Sequence, residues 1–317
     1  MADPKAPLDA SGLCTLSIHD RKSKVADAAF ARELAPGLTF QSWLDSLPDI
    51  LAARELREIA RAIVEARKNQ RPVILGTGAH AIKVGLSPLI ISLMEKKIVT
   101  VLAMNGAGAV HDFEIALAGR TSEDVAASLD TGMFGMARET AQGLNRAVER
   151  CGREDIGLGR ALGEAINQAQ LPHRGLSLFA AAARLDLPAT VHVAIGTDIV
   201  HMHPSADGAA IGRGSLRDFR IFSAAVAELE GGVYINLGSA VIMPEVFLKA
   251  LALARNLTHK PMALTTVNMD FIQHYRPEVN VVERPVRTGG RGYRLIGHHE
   301  IMFPLLTAAV LEQMAST

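Results

Sequence analysis

Between residues 51 and 67 the apolar side chains recur three and four positions apart. Leu51, Leu56, Ile59, Ile63 and Val64 form one stripe, and Arg57, Glu58, Arg61, Glu65 and Arg67 fall on the other side. That period marks an amphipathic helix whose apolar face packs on another layer. Downstream, short apolar runs alternate with helical stretches. Runs at 73–75, 98–104, 189–195, 232–237, 262–267 and 293–296 read as strands. Helices are predicted through 86–94, from about 111 to 118, and over 176–185, 217–229, 244–255 and 301–314. Alternation of this kind implies an α/β fold, a Rossmann-like parallel sheet with helices on both faces, because each parallel strand needs a crossover connection.

Two stretches interrupt the pattern. Residues 1–48 are polar, punctuated by proline, and hold the only tryptophan, Trp43, so they read as an N-terminal arm or lid. Residues 49–317 then form a single domain, in which about 123–170 is a helical insertion broken by Gly152, Gly157 and Gly159. The run Gly289, Gly290, Arg291, Gly292 is the expected mobile loop.

Composition narrows the function. With 33 basic and 33 acidic side chains the formal charge is zero, so no overall field draws the chain to nucleic acid or to an anionic membrane. A small neutral or zwitterionic molecule is the expected partner. Cys14 and Cys151 have neither metal-site spacing nor a disulfide framework, which suits a reducing cytoplasm. The first 17 residues lack a basic start with an apolar core, and no apolar run approaches the roughly 18 residues of a membrane span. A cytoplasmic protein is expected.

The chemistry gathers at glycines. Gly76, Gly78 and Ala81, with Thr77 between the glycines, follow the first strand in the loose spacing that lets a backbone approach a pyrophosphate. The next strand ends in Asn105, Gly106, Ala107 and Gly108, without the acid that would hold a ribose. His111 and Asp112 follow at a predicted helix start, where amide donors favour an anion; capping by Asp112 is the alternative. Lys83 could meet a phosphate or act as an amine nucleophile, or be a solvated helix lysine. His201 and His203 share one face if their segment is extended, and with Asp198 they could hold zinc or iron or supply a base; hydrogen-bonded structural histidines are the alternative. Glu245 could serve as a base if burial raised its pKa, or simply pair with Lys249.

In order along the chain, four segments resemble deoxyhypusine synthase, an NAD-dependent family. They are the strand, glycine turn and helix over 76–85 with 102–117, the run Gly214-Ser215-Leu216-Arg217-Asp218, the stretch 231–240 containing Gly238 and Ser239, and Met302-Phe303-Pro304-Leu305-Leu306. The resemblance implies a single NAD-binding domain and a homotetramer with shared sites. It assigns cofactor contacts to the two glycine turns, Asp112, Ser215, Asp218, Gly238 and Ser239. The family's adenosine-binding aspartate becomes His298, which leaves NAD or NADP open. The family lysine has no counterpart in 276–291, and Met243, Pro244 and Glu245 stand where it has a base histidine. The implied function is an NAD(P)-dependent enzyme that transiently oxidises a small amino or hydroxy compound, with transfer or elimination, rather than deoxyhypusine synthesis; the alternative is a non-catalytic nucleotide-binding sensor or scaffold. The expected catalytic set is Lys83, His201, His203 and Glu245.

Overall fold

The computed structural model describes residues 7–315; residues 1–6 of the expected arm and 316–317 of the expected domain lie outside the described residues. The arm is mostly irregular up to α1 (Phe40–Ser46), where Thr39 caps the helix and Leu44 enters the core. Arg57 fastens α1 by donating to the carbonyls of Leu44 and Pro48. It stands on α2 (Leu51–Lys68), whose buried stripe Leu56, Ile59, Ile63 and Val64 is the predicted one without Leu51, which is exposed at the helix start.

The sheet follows. β1 (Val73–Thr77) leads through α3 (His80–Lys83) and α4 (Ser87–Glu95) to β2 (Val101–Asn105). Next come α5 (Gly106–Ala118), α6 (Val125–Leu129), α7 (Arg138–Arg153), α8 (Leu158–Gln168), α9 (Leu178–Arg184) and β3 (Ala189–His192). The second half runs α10 (Gly208–Ala227), β4 (Val233–Leu237), α11 (Ile242–Asn256), β5 (Thr265–Asp270), the single turn α12 (Tyr275–Pro277), β6 (Arg291–Ile296) and α13 (His299–Ala315). All six strands are parallel in the order β3-β2-β1-β4-β5-β6. This is the Rossmann order, with its switch point between β1 and β4.

Helices on both faces explain why β1 and β4 are buried throughout and read as unbroken apolar runs. Leu75, Leu102 and Ile235 face one layer with Ile59 and Phe303, while Ile74, Ala103 and Tyr234 face the other with Phe222 and Phe247. Edge strand β6 instead alternates, with Tyr293 and Leu295 inward and Arg294 and Ile296 outward. α7 and α8 cover the β3 side of the sheet, and α8 approaches β3 so closely that a Cβ on Gly159 would overlap the Ala189 carbonyl.

Several boundaries correct the sequence expectation. α5 starts at Gly106 because Asn105 accepts from Gly108 N, at 2.9 Å, so the glycines are helix and not turn. α10 starts at Gly208, where Asp207 accepts from Ala209 N and Ala210 N. Gly208, Gly212 and Gly214 hide that helix from a propensity reading. β5 begins at Thr265, three residues late, because the Glu230 carboxylate takes the amides of Met262 and Ala263. Arg291 and Gly292 of the expected mobile loop belong to β6.

Candidate functional site

The carboxyl ends of β1, β2 and β3 open onto a groove of ≈ 240 Å³, lined by Lys83, Ala107, His111, Glu114, Glu123 and Asp198. Each side chain is placed by the turn after a strand. α3 ends in the exposed Lys83. The second and third turns of α5 carry His111 and Glu114 three residues apart, on one face. The segment after β3 brings in Asp198.

Thr121 donates to Glu114, so its oxygen accepts from His111 Nδ1 at 2.6 Å. This selects the tautomer whose Nε2 is left as an acceptor. Burial holds the His111 pKa below its ordinary value, the Lys83 charge lowers it further, and Glu114 partly opposes both. The result is a neutral imidazole beside a cation. Glu114 also accepts from Thr140 at 3.1 Å. Residues 121–137 cross the groove and are pinned at Gly135, whose amide donates to Glu123 at 2.8 Å and whose carbonyl lies 3.0 Å from His203 Nε2.

His201, His203 and Glu245 are not brought together. Their segment is not extended: Ile199–Met202 is a 3-10 turn, which rotates the two imidazoles apart. His201 Nδ1 accepts from Gly196 N at 3.1 Å, whereas His203 reaches the covering segment. No group of three potential metal ligands occurs among the described residues. Glu245 pairs with Lys249 and Arg276 and accepts from Asn280, and the Lys249 contact above all keeps its carboxyl below the ordinary range, so the burial-raised base is corrected. It lines a separate groove with Ser215 and His192.

The expected cofactor residues divide in the same way. The Cβ direction of Gly76, Gly78, Gly106 and Gly108 is occupied by the protein, so a side chain is excluded at all four. A Cβ on Gly76 would meet Tyr234 Oη at 2.5 Å, one on Gly78 the Gly238 carbonyl at 2.8 Å, and one on Gly108 the Met104 methyl at 2.6 Å. A Cβ on Gly106 would overlap the Asp198 carboxylate. Thr77 Oγ1 donates to Leu237 O at 3.0 Å and closes the two turns on each other. Ser239 Oγ caps α11 by accepting from Met243 N, and Gly238 itself turns at φ 63° against His299.

Asp112 and Asp218 face inward. Asp112 accepts from Ser177 Oγ, Leu178 N and Phe179 N at the start of α9. Asp218 accepts from Gly159 N and Val191 N, and the resembling run 214–218 lies in the middle of α10, not in a turn. Ser215 accepts from Val193 N and donates to Val191 O. Burial raises Asp112 to about 6 and Asp218 to about 7.

A second cluster, at the ends of β5 and β6, was named only through His298. His80, His299 and Phe271 surround one another, with the His80 and His299 centroids 5.1 Å apart. The exposed His298 ring lies nearly parallel to Phe271. His299 is buried, its Nε2 is 3.6 Å from Asp270, and its Nδ1 has no partner. Glu114 could have been found from its spacing to His111; the closeness of His80 to His299, 219 residues away in sequence, had no local signal.

No protein-family model matches the chain, and no curated protein matches it in sequence. Solved structures do. A conserved protein of the LOR/SDH type from Methanococcus maripaludis S2 aligns at TM-score 0.54 and 15% identity, over 84% of this chain and 71% of its own. AgrE, in a ternary complex with ornithine and NAD+, aligns at TM-score 0.53 and 13% identity, over 83% of this chain and 33% of its own. They share this fold. The chain therefore spans about a third of AgrE. A protein assigned as a deoxyhypusine synthase from Entamoeba histolytica aligns over 87% of this chain and 94% of its own, at 13% identity and TM-score 0.48. No helix among the described residues is long and apolar enough to cross a membrane.

Proposed function

We propose that this chain is an enzyme that binds a nicotinamide dinucleotide at the carboxyl edge of its sheet and acts on a small amino or hydroxy compound in the Lys83–His111–Glu114 groove. The observation that carries the reading is that groove: a lysine without an ion pair, a neutral histidine held by a threonine, and acids from three separate turns, all at the edge where open α/β sheets take ligands. That AgrE, with the same fold, holds ornithine and NAD+ supports it.

The residues fit a dinucleotide on different atoms from those expected. The amino end of α5 at Ala107 and the Lys83 ammonium suit phosphate. The unpartnered Nδ1 of His299 and the Phe271 and His298 rings suit a hydroxyl-bearing, ring-bearing group. When bound, the cofactor supplies a hydride acceptor. The chain supplies the rest: His111 Nε2 takes the proton from the hydroxyl or amine being oxidised, Thr121 and Glu114 hold the ring, burial and then the Lys83 charge favour its neutral form, and Lys83 binds an anionic group. We read the assembly as a homotetramer, which the exposed apolar side chains Phe271, Ile272, Tyr275, Ile296 and Ile301 support.

Calorimetry with NAD, NADH, NADP and NADPH tests this. Micromolar binding of at least one is expected, about tenfold weaker in Lys83→Met, the loss of one charge-assisted contact, with an unchanged melting temperature. Absence of binding to all four overturns it. One observation favours a non-catalytic sensor instead: the expected catalytic set is dispersed. Binding without turnover of any small amine or hydroxy acid would decide for that reading.

A further inference from the structure

Behind the groove lies a second space that no part of the cofactor reading uses. A chamber of ≈ 50 Å³ is lined by Ala109 of α5, Leu144 and Val148 of α7, Leu162 of α8, and Val193 and Val200 beside β3. Its wall is mostly apolar, with Asn145, Asp198 and His201 as its polar residues. The Asp198 carboxylate borders both chamber and groove, so the two adjoin there.

One polar atom is out of place. Asn145 is 2% exposed and lines the chamber; its Nδ2 donates to Ser205 Oγ at 2.8 Å, but its Oδ1 is buried without a partner. Leaving a buried acceptor unsatisfied costs about 1–3 kcal/mol. A terminal hydroxyl entering the chamber would supply the missing donor.

We propose, resting on the groove reading, that this chamber receives the tail of the substrate: a neutral aliphatic end of two or three carbons bearing a hydroxyl that donates to Asn145 Oδ1. The size follows from the volume, since one water-sized group needs roughly 10–15 Å³ by this measure. Neutrality follows from the lining. An ammonium buried among valine and leucine pays a desolvation cost that a single carboxylate at the mouth does not offset. The reacting amine or hydroxyl stays outside, between Lys83 and His111.

The test is ligand-observed NMR titration of the full chain with methanol, ethanol, 1-propanol, 1-pentanol and n-propylammonium, with dinucleotide binding measured on the same sample. Affinity should rise about fourfold per carbon up to 1-propanol, from about 0.8 kcal/mol per buried methylene, and then level off at 1-pentanol, whose remaining carbons extend into the groove. Propylammonium should bind at least tenfold more weakly than 1-propanol. Ala147→Leu, which fills the chamber, should remove the chain-length dependence. Because the series is run on the wild-type chain, the inference does not depend on that variant folding. Affinity independent of chain length, or rising steadily through 1-pentanol, overturns the proposal; so does an ordered water on Asn145 that no alcohol displaces. A flat series beside intact dinucleotide binding sinks the chamber alone, whereas alcohol binding without any dinucleotide sinks the cofactor reading and leaves the chamber standing.

Discussion

His111 and Asp112 are neighbours in sequence and opposites in the molecule. The imidazole borders the open groove with Lys83, and the carboxylate is fully buried at the amino end of α9. Asp218 repeats the second arrangement at the amino end of α8, where a Cβ on Gly157 would overlap it. Helix amino ends are anion sites, and here two of them are filled by the chain's own acids. An acid beside a glycine-rich motif is therefore weak evidence for a ligand. The open groove differs in what it leaves unpaired: a lysine and an imidazole nitrogen face a space the protein does not fill.

The contrast is broken most severely by removing a buried acid. Asp218→Ala strips the acceptor from Gly159 N and Val191 N, so we expect a loss of about 3 kcal/mol in urea unfolding, with dinucleotide affinity of the folded fraction unchanged. Lys83→Met should do the reverse. Should Asp218→Ala weaken binding while leaving stability intact, the division between socket and groove is wrong.

Smaller, and sharper, is the dependence on pH. Burial raises both carboxyls above the ordinary 3.8, Asp112 to about 6 and Asp218 to about 7. A group with a raised folded-state pKa contributes its stability fully below the unfolded value and loses it as pH rises through the folded one. The urea midpoint should thus fall between about pH 4 and about pH 7, and Asp218→Asn should flatten the upper part of that slope. A midpoint that rises over this range would contradict the buried sockets. The smallest effect belongs to Glu245→Ala. Its partners are two surface cations and the Asn280 amide, so about 1 kcal/mol of stability is at stake, and dinucleotide binding should not change. A large loss of binding would return Glu245 to the site.

Much of the fold was legible. The α2 stripe, the strand-helix alternation and the glycine turn after β1 are local signals, and the structure places them in a parallel sheet of Rossmann order. The site was legible only in part. Lys83 and His111 do line one groove, yet Glu114 and Glu123 were passed over, and the histidine pair depended on an extended segment that proved to be a 3-10 turn. Glycine is hard to read for a physical reason: the need for a missing side chain is visible in sequence, but what occupies the space is not. At Gly76 it is the hydroxyl of Tyr234, 158 residues away in sequence.

What the sequence determined by itself is the layering, because apolar period and strand length depend on near neighbours and on which face must leave water. Which polar groups meet was decided by the tertiary structure. The parallel crossovers bring the turns after β1, β2 and β3 to one edge, so Lys83, His111 and Asp198 share a groove despite long loops between them. The same closure turned Asp112 and Asp218 inward, onto the unpaired amides of other helices, since a buried helix end must find its hydrogen bonds somewhere in the fold.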